Sequence, residues 1–136
     1  MVGQTEITLP ELSRGFHLIN SFIEKHLPDL PEKGLLNIFL HHTSAALAIN
    51  ENADPTVRAD FESFFSKLVP EYDPVYKHVI EGPDDMPAHL KSSILGQSIS
   101  IPIKGGKLHM GLWQGIYLCE FRDRPHRRKI TLTVLS

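Results

Sequence analysis

At 136 residues, with 41% hydrophobic and 22% charged content, the chain has the size and make-up of one soluble domain spanning residues 1–136. Folding a chain of this length buries roughly two-thirds of its unfolded surface. The net charge of -2 supplies no global positive field, which excludes a dedicated nucleic-acid binder. A single cysteine, Cys119, excludes an internal disulfide and fits a reducing compartment. No apolar run approaches the roughly 20 residues that cross a bilayer, and Met1-Val2-Gly3-Gln4-Thr5-Glu6 lacks the order of a signal peptide. The expectation is a cytoplasmic protein without a membrane partner.

In chain order, Thr5, Ile7 and Leu9 alternate with polar residues and predict a first strand over residues 4–9, ended by Pro10. Phe16, Ile19, Phe22, Ile23 and Leu27 recur at helical spacing and predict an amphipathic helix from Phe16 to His26. The apolar run from Leu35 to Leu40 reads as a buried strand ending at His42, on which Ile38, Leu40 and His42 share one face and Phe39 and His41 the other. Ala45 to Ile49 continues as a second strand after a break. Asp54 then caps a helix that has Pro55 at its first position. That helix, Pro55 to Leu68, carries Val57, Phe61, Phe64, Phe65 and Leu68 on one stripe and is expected to face the core.

Residues 70–79 are irregular. In the stretch Glu81 to Gly96, Asp85 is the expected N-cap, Gly96 the stop, and Met86, Leu90 and Ile94 the buried stripe. His89 lies off that stripe, one turn from Asp85. Ser98 to Ile103 is a strand, and Lys104-Gly105-Gly106-Lys107 a hairpin turn. Leu108 to Phe121 is strand material interrupted by glycines, and Ile130, Leu132 and Val134 mark a last strand. The pattern is α+β, with largely antiparallel sheet and helices on one side.

Chemistry concentrates in four places. His42, His78 and His89 are metal-ligand candidates, because three neutral imidazoles with one open position make a catalytic-type site. Their separations match no local signature, so the case rests on neighbouring carboxylates, Glu51, Asp84 and Asp85, able to orient them. Glu120 lies on a strand that is apolar on both faces, so it must be paired, metal-bound or at the strand mouth. A structural ion pair with Arg122, Arg127 or Arg128 stands beside a catalytic role for it. The basic run Arg122 to Lys129 has the guanidinium geometry that suits phosphate oxygens, though charged tips are usually just solvated. Cys119 reads as a small core residue rather than a nucleophile.

Three segments, His42-Thr43-Ser44-Ala45-Ala46-Leu47 through Asn50-Glu51-Asn52-Ala53-Asp54-Pro55, Glu81 through Lys91, and Gly111 through Glu120, together resemble the YjbQ family over nearly the whole chain. The resemblance implies an α+β homotrimer with a weak, secondary thiamine-phosphate synthase activity. That reaction joins a pyrimidine methyl diphosphate to a thiazole phosphate and releases pyrophosphate. It also implies a divalent metal (zinc, magnesium or manganese) on His42, His78 and His89, with Asp84, Ser44, Asn50 and Glu51 nearby and Trp113, Gln114 and Glu120 in the third motif. On that reading Glu51, Asp84 and Glu120 are the catalytic candidates. Ser44, Asn50, Trp113, Gln114, Arg127 and Arg128 are the candidates to bind a small phosphorylated substrate, with Trp113 or Tyr117 covering its ring. Leu112 stands where the family has threonine, and Phe121 where it has histidine. Two other classes remain open: a non-catalytic trimeric module for a metal or phosphorylated ligand, and a metal-dependent hydrolase with Glu51 or Glu120 as base.

Overall fold

The structure is a computed structural model that describes residues 2–136. Eight strands and three helices follow in the order β1 (Val2–Thr8), β2 (Gly15–Leu18), α1 (Asn20–His26), β3 (Lys33–Leu40), β4 (Ala45–Glu51), α2 (Pro55–Leu68), α3 (Asp85–Leu95), β5 (Ser98–Lys104), β6 (Lys107–Leu108), β7 (Gln114–Glu120) and β8 (Lys129–Leu135). A five-stranded sheet runs β1-β8-β3-β5-β6 and a three-stranded sheet runs β2-β7-β4, with antiparallel pairing throughout. The α+β expectation holds. No helix is long and apolar enough to cross a membrane among the described residues.

Period-two alternation on the large sheet turns Leu36, Ile38, Leu40, Ile101, Ile103, Ile130, Leu132 and Val134 inward. They meet Ala45, Leu47, Ile116 and Leu118 of the small sheet, with Ile23 of α1, in one continuous core. The opposite face of the small sheet carries Phe16, Ala46, Tyr117 and Cys119, which pack with Ala88 of α3 and with Phe61 and Phe65 of α2. The small sheet is therefore the middle of three layers. That is why β7 reads as apolar on both faces.

Three expectations need correction. The helix predicted from Phe16 to His26 is two elements, because Gly15 to Leu18 pairs with Tyr117 to Glu120 and only Asn20 onward is helical. Pairing with β7 outweighs the local helical periodicity of Phe16 and Ile19. Second, α2 begins at its expected cap, Asp54, whose carboxylate accepts from the Thr56 N–H, yet none of its residues is fully buried and Phe64 is 58% exposed. Third, the face of α3 is reversed. It buries Asp85, Ala88, Lys91 and Ser92, while Ile94 is 57% exposed. The Ser92 hydroxyl donates to the Ala45 carbonyl at 2.7 Å, so a hydrogen bond seats this helix on β4. That polar inner face is what brings Asp85 and His89 to the chemistry described next.

Candidate metal centre

Asp85 opens α3 and His89 follows one turn later, so both project from one face of the helix. His78 arrives from the irregular segment between α2 and α3. The His78 Nε2 lies 2.7 Å and the His89 Nε2 3.1 Å from the same Asp85 oxygen, Oδ2. All three ligand-capable atoms fall within 4.8 Å of one another. Gly82 makes the approach to α3 possible: its φ of +108° is a conformation that side-chain-bearing residues rarely adopt, and a Cβ there would come within 3.0 Å of Asp84 Oδ1.

Arg122 holds this corner from behind. Its Nη1 pairs with Asp85 Oδ1 at 2.8 Å, its Nε with Asp84 Oδ2 at 2.8 Å, and its Nη2 donates to the Glu81 carbonyl at 3.0 Å. The Asp123 N–H adds a bond to Asp84 Oδ2 at 2.9 Å. Burial pushes both carboxyls up, but hydrogen bonds and nearby positive charge outweigh it. For Asp85 these are the bond from His78 and the charges of His89 and Arg122; for Asp84 they are the bonds from Arg122 and the Asp123 N–H. Both acids are held below the usual carboxylate range, and Asp85 is anionic although only 1% exposed.

The His89 ring tests whether these residues suit a cation. Its Nδ1 sits 2.8 Å from the Thr43 carbonyl, and a carbonyl only accepts, so Nδ1 carries the proton. In the neutral ring the Nε2 lone pair then points at the Asp85 carboxylate. Two electron pairs facing each other at 3.1 Å need something positive between them, either a second proton on the ring or a shared cation. Imidazole held by its far nitrogen against a backbone carbonyl is the arrangement found behind metal-bound histidines. Two imidazole nitrogens and one carboxylate form a donor set for a divalent transition metal, with coordination positions left open. The residues fit the group.

Two cavities reach the histidines of this corner. One, of about 430 Å³, is lined by Phe39, His41, His42, Thr43, His89 and Ser92 among others. The second, of about 330 Å³, is lined by residues that include Tyr72, Tyr76, His78 and Met86. Neither has lysine or arginine in its wall.

His42 stands outside the three-residue group. Its Nε2 accepts from the Lys129 N–H at 2.8 Å, and burial with the Arg128 charge pushes its basicity down, so it faces the first cavity as a neutral ring. Asp85, not His42, completes the three-residue group with His78 and His89. Its spacing to His89 was the visible signal. Arg122 and the Thr43 carbonyl had no comparable signal, since both act through contacts distant in sequence.

The remaining candidates divide by position. Glu120 and Arg128 are buried against each other, with Arg128 Nε and Nη2 on the two Glu120 oxygens at 2.7 and 2.6 Å. The Ser44 carbonyl lies 3.3 Å from Arg128 Nη2. These are structural contacts, so Glu120 is not poised as a base nor Arg128 as a phosphate ligand. Asp84 is spent on Arg122 and the Asp123 N–H. Arg127 is exposed.

Asn50, Glu51, Trp113 and Gln114 sit at the other end of the β4–β7 pair, where Glu51 faces Gln114, whereas Ala45 faces Glu120 at the near end. Six strand steps separate these ends by roughly 20 Å. Glu51 caps its own turn by accepting from the Ala53 and Asp54 N–H groups. Asn50 accepts from the Glu51 N–H, and the Gln114 side chain accepts from the Gly111 N–H. Trp113 is 62% exposed. Tyr117 is buried in the core with its hydroxyl donating to the Glu51 carbonyl.

Fold and site together define a class: a two-sheet α+β protein with a histidine–aspartate–histidine group where a helix meets a strand corner. The chain belongs to the YjbQ family, since the model described as UPF0047 protein YjbQ-like matches residues 5–136. UPF0047 protein YjbQ of Salmonella typhimurium is 53% identical over 133 residues, covering 96% of each chain. UPF0047 protein sll1880 of Synechocystis is 43% identical over 132 residues, covering 96% of this chain and 90% of its own. Among solved structures, the conserved hypothetical protein TT1486 from Thermus thermophilus superposes with a TM-score of 0.84 at 32% identity, covering 97% of this chain and 99% of that one. A YbjQ-like protein of unknown function from Sulfolobus solfataricus gives 0.84 at 25% identity, covering 100% and 98%.

Proposed function

We propose that the chain is a metal-dependent enzyme acting on a small phosphorylated molecule, with a divalent transition ion (zinc or manganese) held by His78, Asp85 and His89. The observation that carries this reading is the His89 ring, whose Nδ1–H is committed to the Thr43 carbonyl while Nε2 faces Asp85. When bound, the ion supplies positive charge for phosphoryl oxygens and for a departing pyrophosphate. The two cavities that reach the histidines lack lysine and arginine, while a third, beside Asp84, has Arg122 and Arg124 in its wall. Thr43 fixes the ring that binds, the His78 bond with the charges of His89 and Arg122 keeps Asp85 anionic, and His42 presents a neutral imidazole to the first cavity.

The weak thiamine-phosphate synthesis implied by the family resemblance fits this chemistry, because charge neutralisation rather than a strong base is what it asks for. A hydrolase using Glu51 or Glu120 as base fits poorly, since both carboxylates are committed to structural bonds. A homotrimer belongs to the same reading. Asn50, Glu51, Trp113 and Gln114 lie at the far end of the small sheet from His89, and only a neighbouring copy would bring the two ends together.

The test is thiamine-phosphate formation by protein loaded with zinc or manganese, compared with Asp85→Ala and His89→Ala. The reading expects each substitution to reduce the rate at least tenfold and to abolish metal-dependent stabilisation. Equal rates in all three proteins would remove the synthase assignment. Rates that vanish only together with folding would be resolved by His89→Gln, which keeps a hydrogen-bond donor for Thr43.

A further inference from the structure

We propose that Arg14 is a positioning residue for the histidine–aspartate–histidine group: one guanidinium anchors both the segment that delivers His78 and the loop that braces Asp85. This deepens the metal-centre reading and rests on it only for what the three side chains hold.

Arg14 lies between β1 and β2, and its fork reaches three other parts of the chain. Its Nε pairs with Glu62 at 2.8 Å and its Nη2 donates to the Ser66 hydroxyl at 3.2 Å, both on α2. Its Nη1 pairs with Glu71 at 3.0 Å and with Asp123 at 2.7 Å. A planar fork holds several acceptors in one geometry, which the point charge of an ammonium does not. Helix α2 has no fully buried residue, so these bonds supplement its packing on the small sheet.

Two of the arms lead to the candidate ligands. Glu71 follows α2 and opens the irregular segment that carries His78, so its bond to Arg14 fixes where that segment starts. Asp123 donates its backbone N–H to Asp84 Oδ2 at 2.9 Å, and Arg122 beside it pairs with Asp85 Oδ1 at 2.8 Å. Arg14 thus acts through acidic neighbours rather than on the ligands themselves. Lys91 of α3 stands in the same junction. It is 1% exposed, its Nζ lies 5.1 Å from the centre of the Phe121 ring, and Glu62, Glu71 and Asp123 act on its charge. With Lys91 still opposing the acids, and the Asp123 side chain 56% exposed to water, a variant lacking the guanidinium should fold.

The experiment measures zinc affinity, and amide hydrogen exchange in chelator, for wild type, Arg14→Gln, Arg14→Lys and Ile38→Val. Zinc should bind at least fivefold more weakly to Arg14→Gln. Arg14→Lys should lose at least threefold, because it restores the charge without the fork. Ile38→Val, which loosens the core away from the site, should stay within twofold of wild type. In chelator, the Asp123 N–H, bonded to Asp84, and the Tyr76 N–H, bonded to the Asp73 carbonyl, should exchange at least fivefold faster in Arg14→Gln, while β3 amides keep their rates. That exchange pattern in a protein whose wild type binds no zinc would remove the metal reading and leave the positioning role standing. Unchanged exchange at both amides, or exchange quickened equally in β3, would overturn the role. So would a zinc affinity unchanged in Arg14→Gln, full rescue by lysine, or an equal loss in Ile38→Val.

Discussion

Arg122 spans two carboxylates that are nearly out of water, and its removal exposes how the site is held. In Arg122→Ala, Asp84 and Asp85 keep their burial and lose their guanidinium partner. The expected cost is about 3 to 5 kcal/mol, measured by urea unfolding at pH 7. The pH dependence follows from the sign of the shifts. Both carboxyls are held below their unfolded value in the native state, so their contribution is complete above about pH 4 and is lost as pH falls through the lower folded values. Wild-type protein should therefore lose stability steeply on acidification below about pH 4. Arg122→Ala, where burial is no longer outweighed to the same extent, should show a flatter acid limb. Equal slopes in the two proteins would mean that Arg122 does not set the charge state of these acids. His89 and Asp85 were legible in sequence as neighbours one turn apart, and His78 as a polar residue in an irregular segment. The pairing of Glu120 with Arg128 was one of several open partners, because an eight-residue separation across a strand and a turn does not fix which arginine returns.

At the level of elements, β3 and α2 are opposites. β3 is a central strand, paired with β8 on one side and β5 on the other, and its Ile38 is fully buried. Ile38→Ala should cost about 3 to 4 kcal/mol by leaving a cavity in a close-packed layer. Phe64 of α2, which is mostly exposed, should cost less than about 1 kcal/mol when changed to alanine. Thermal unfolding of the two variants checks the contrast, and a large loss from Phe64→Ala would mean that a second copy covers this helix. Strands with period-two alternation, such as β3, β5 and β8, were plain in the sequence, as were the cap at Asp54 and the stop at Gly96. Burial of the helices was not. Met86, Leu90 and Ile94 form a good apolar stripe, yet α3 docks through Ala88, Lys91 and Ser92 because the Ser92 hydroxyl finds a strand carbonyl and small residues permit close approach. Likewise Phe16 and Ile19 keep helical spacing while the backbone joins a strand, since pairing with β7 is a long-range gain that no local window contains.

For the molecule as a whole, the small sheet separates two sets of polar residues by roughly 20 Å, one set at His89 and the other at Glu51 and Trp113. A homotrimer that joins unlike ends is the proposed reason that both sets occur in one chain. Sedimentation equilibrium should give about three times the 15.4 kDa chain mass, and a monomer at micromolar concentration would remove that explanation. The central claim, however, concerns the group at the start of α3. The most direct measurement is anomalous diffraction at the zinc edge from crystals of protein given one equivalent of zinc. The account predicts a single strong peak within coordination distance of His78 Nε2, His89 Nε2 and the Asp85 carboxylate. A peak on other residues, or none at these three, would contradict it.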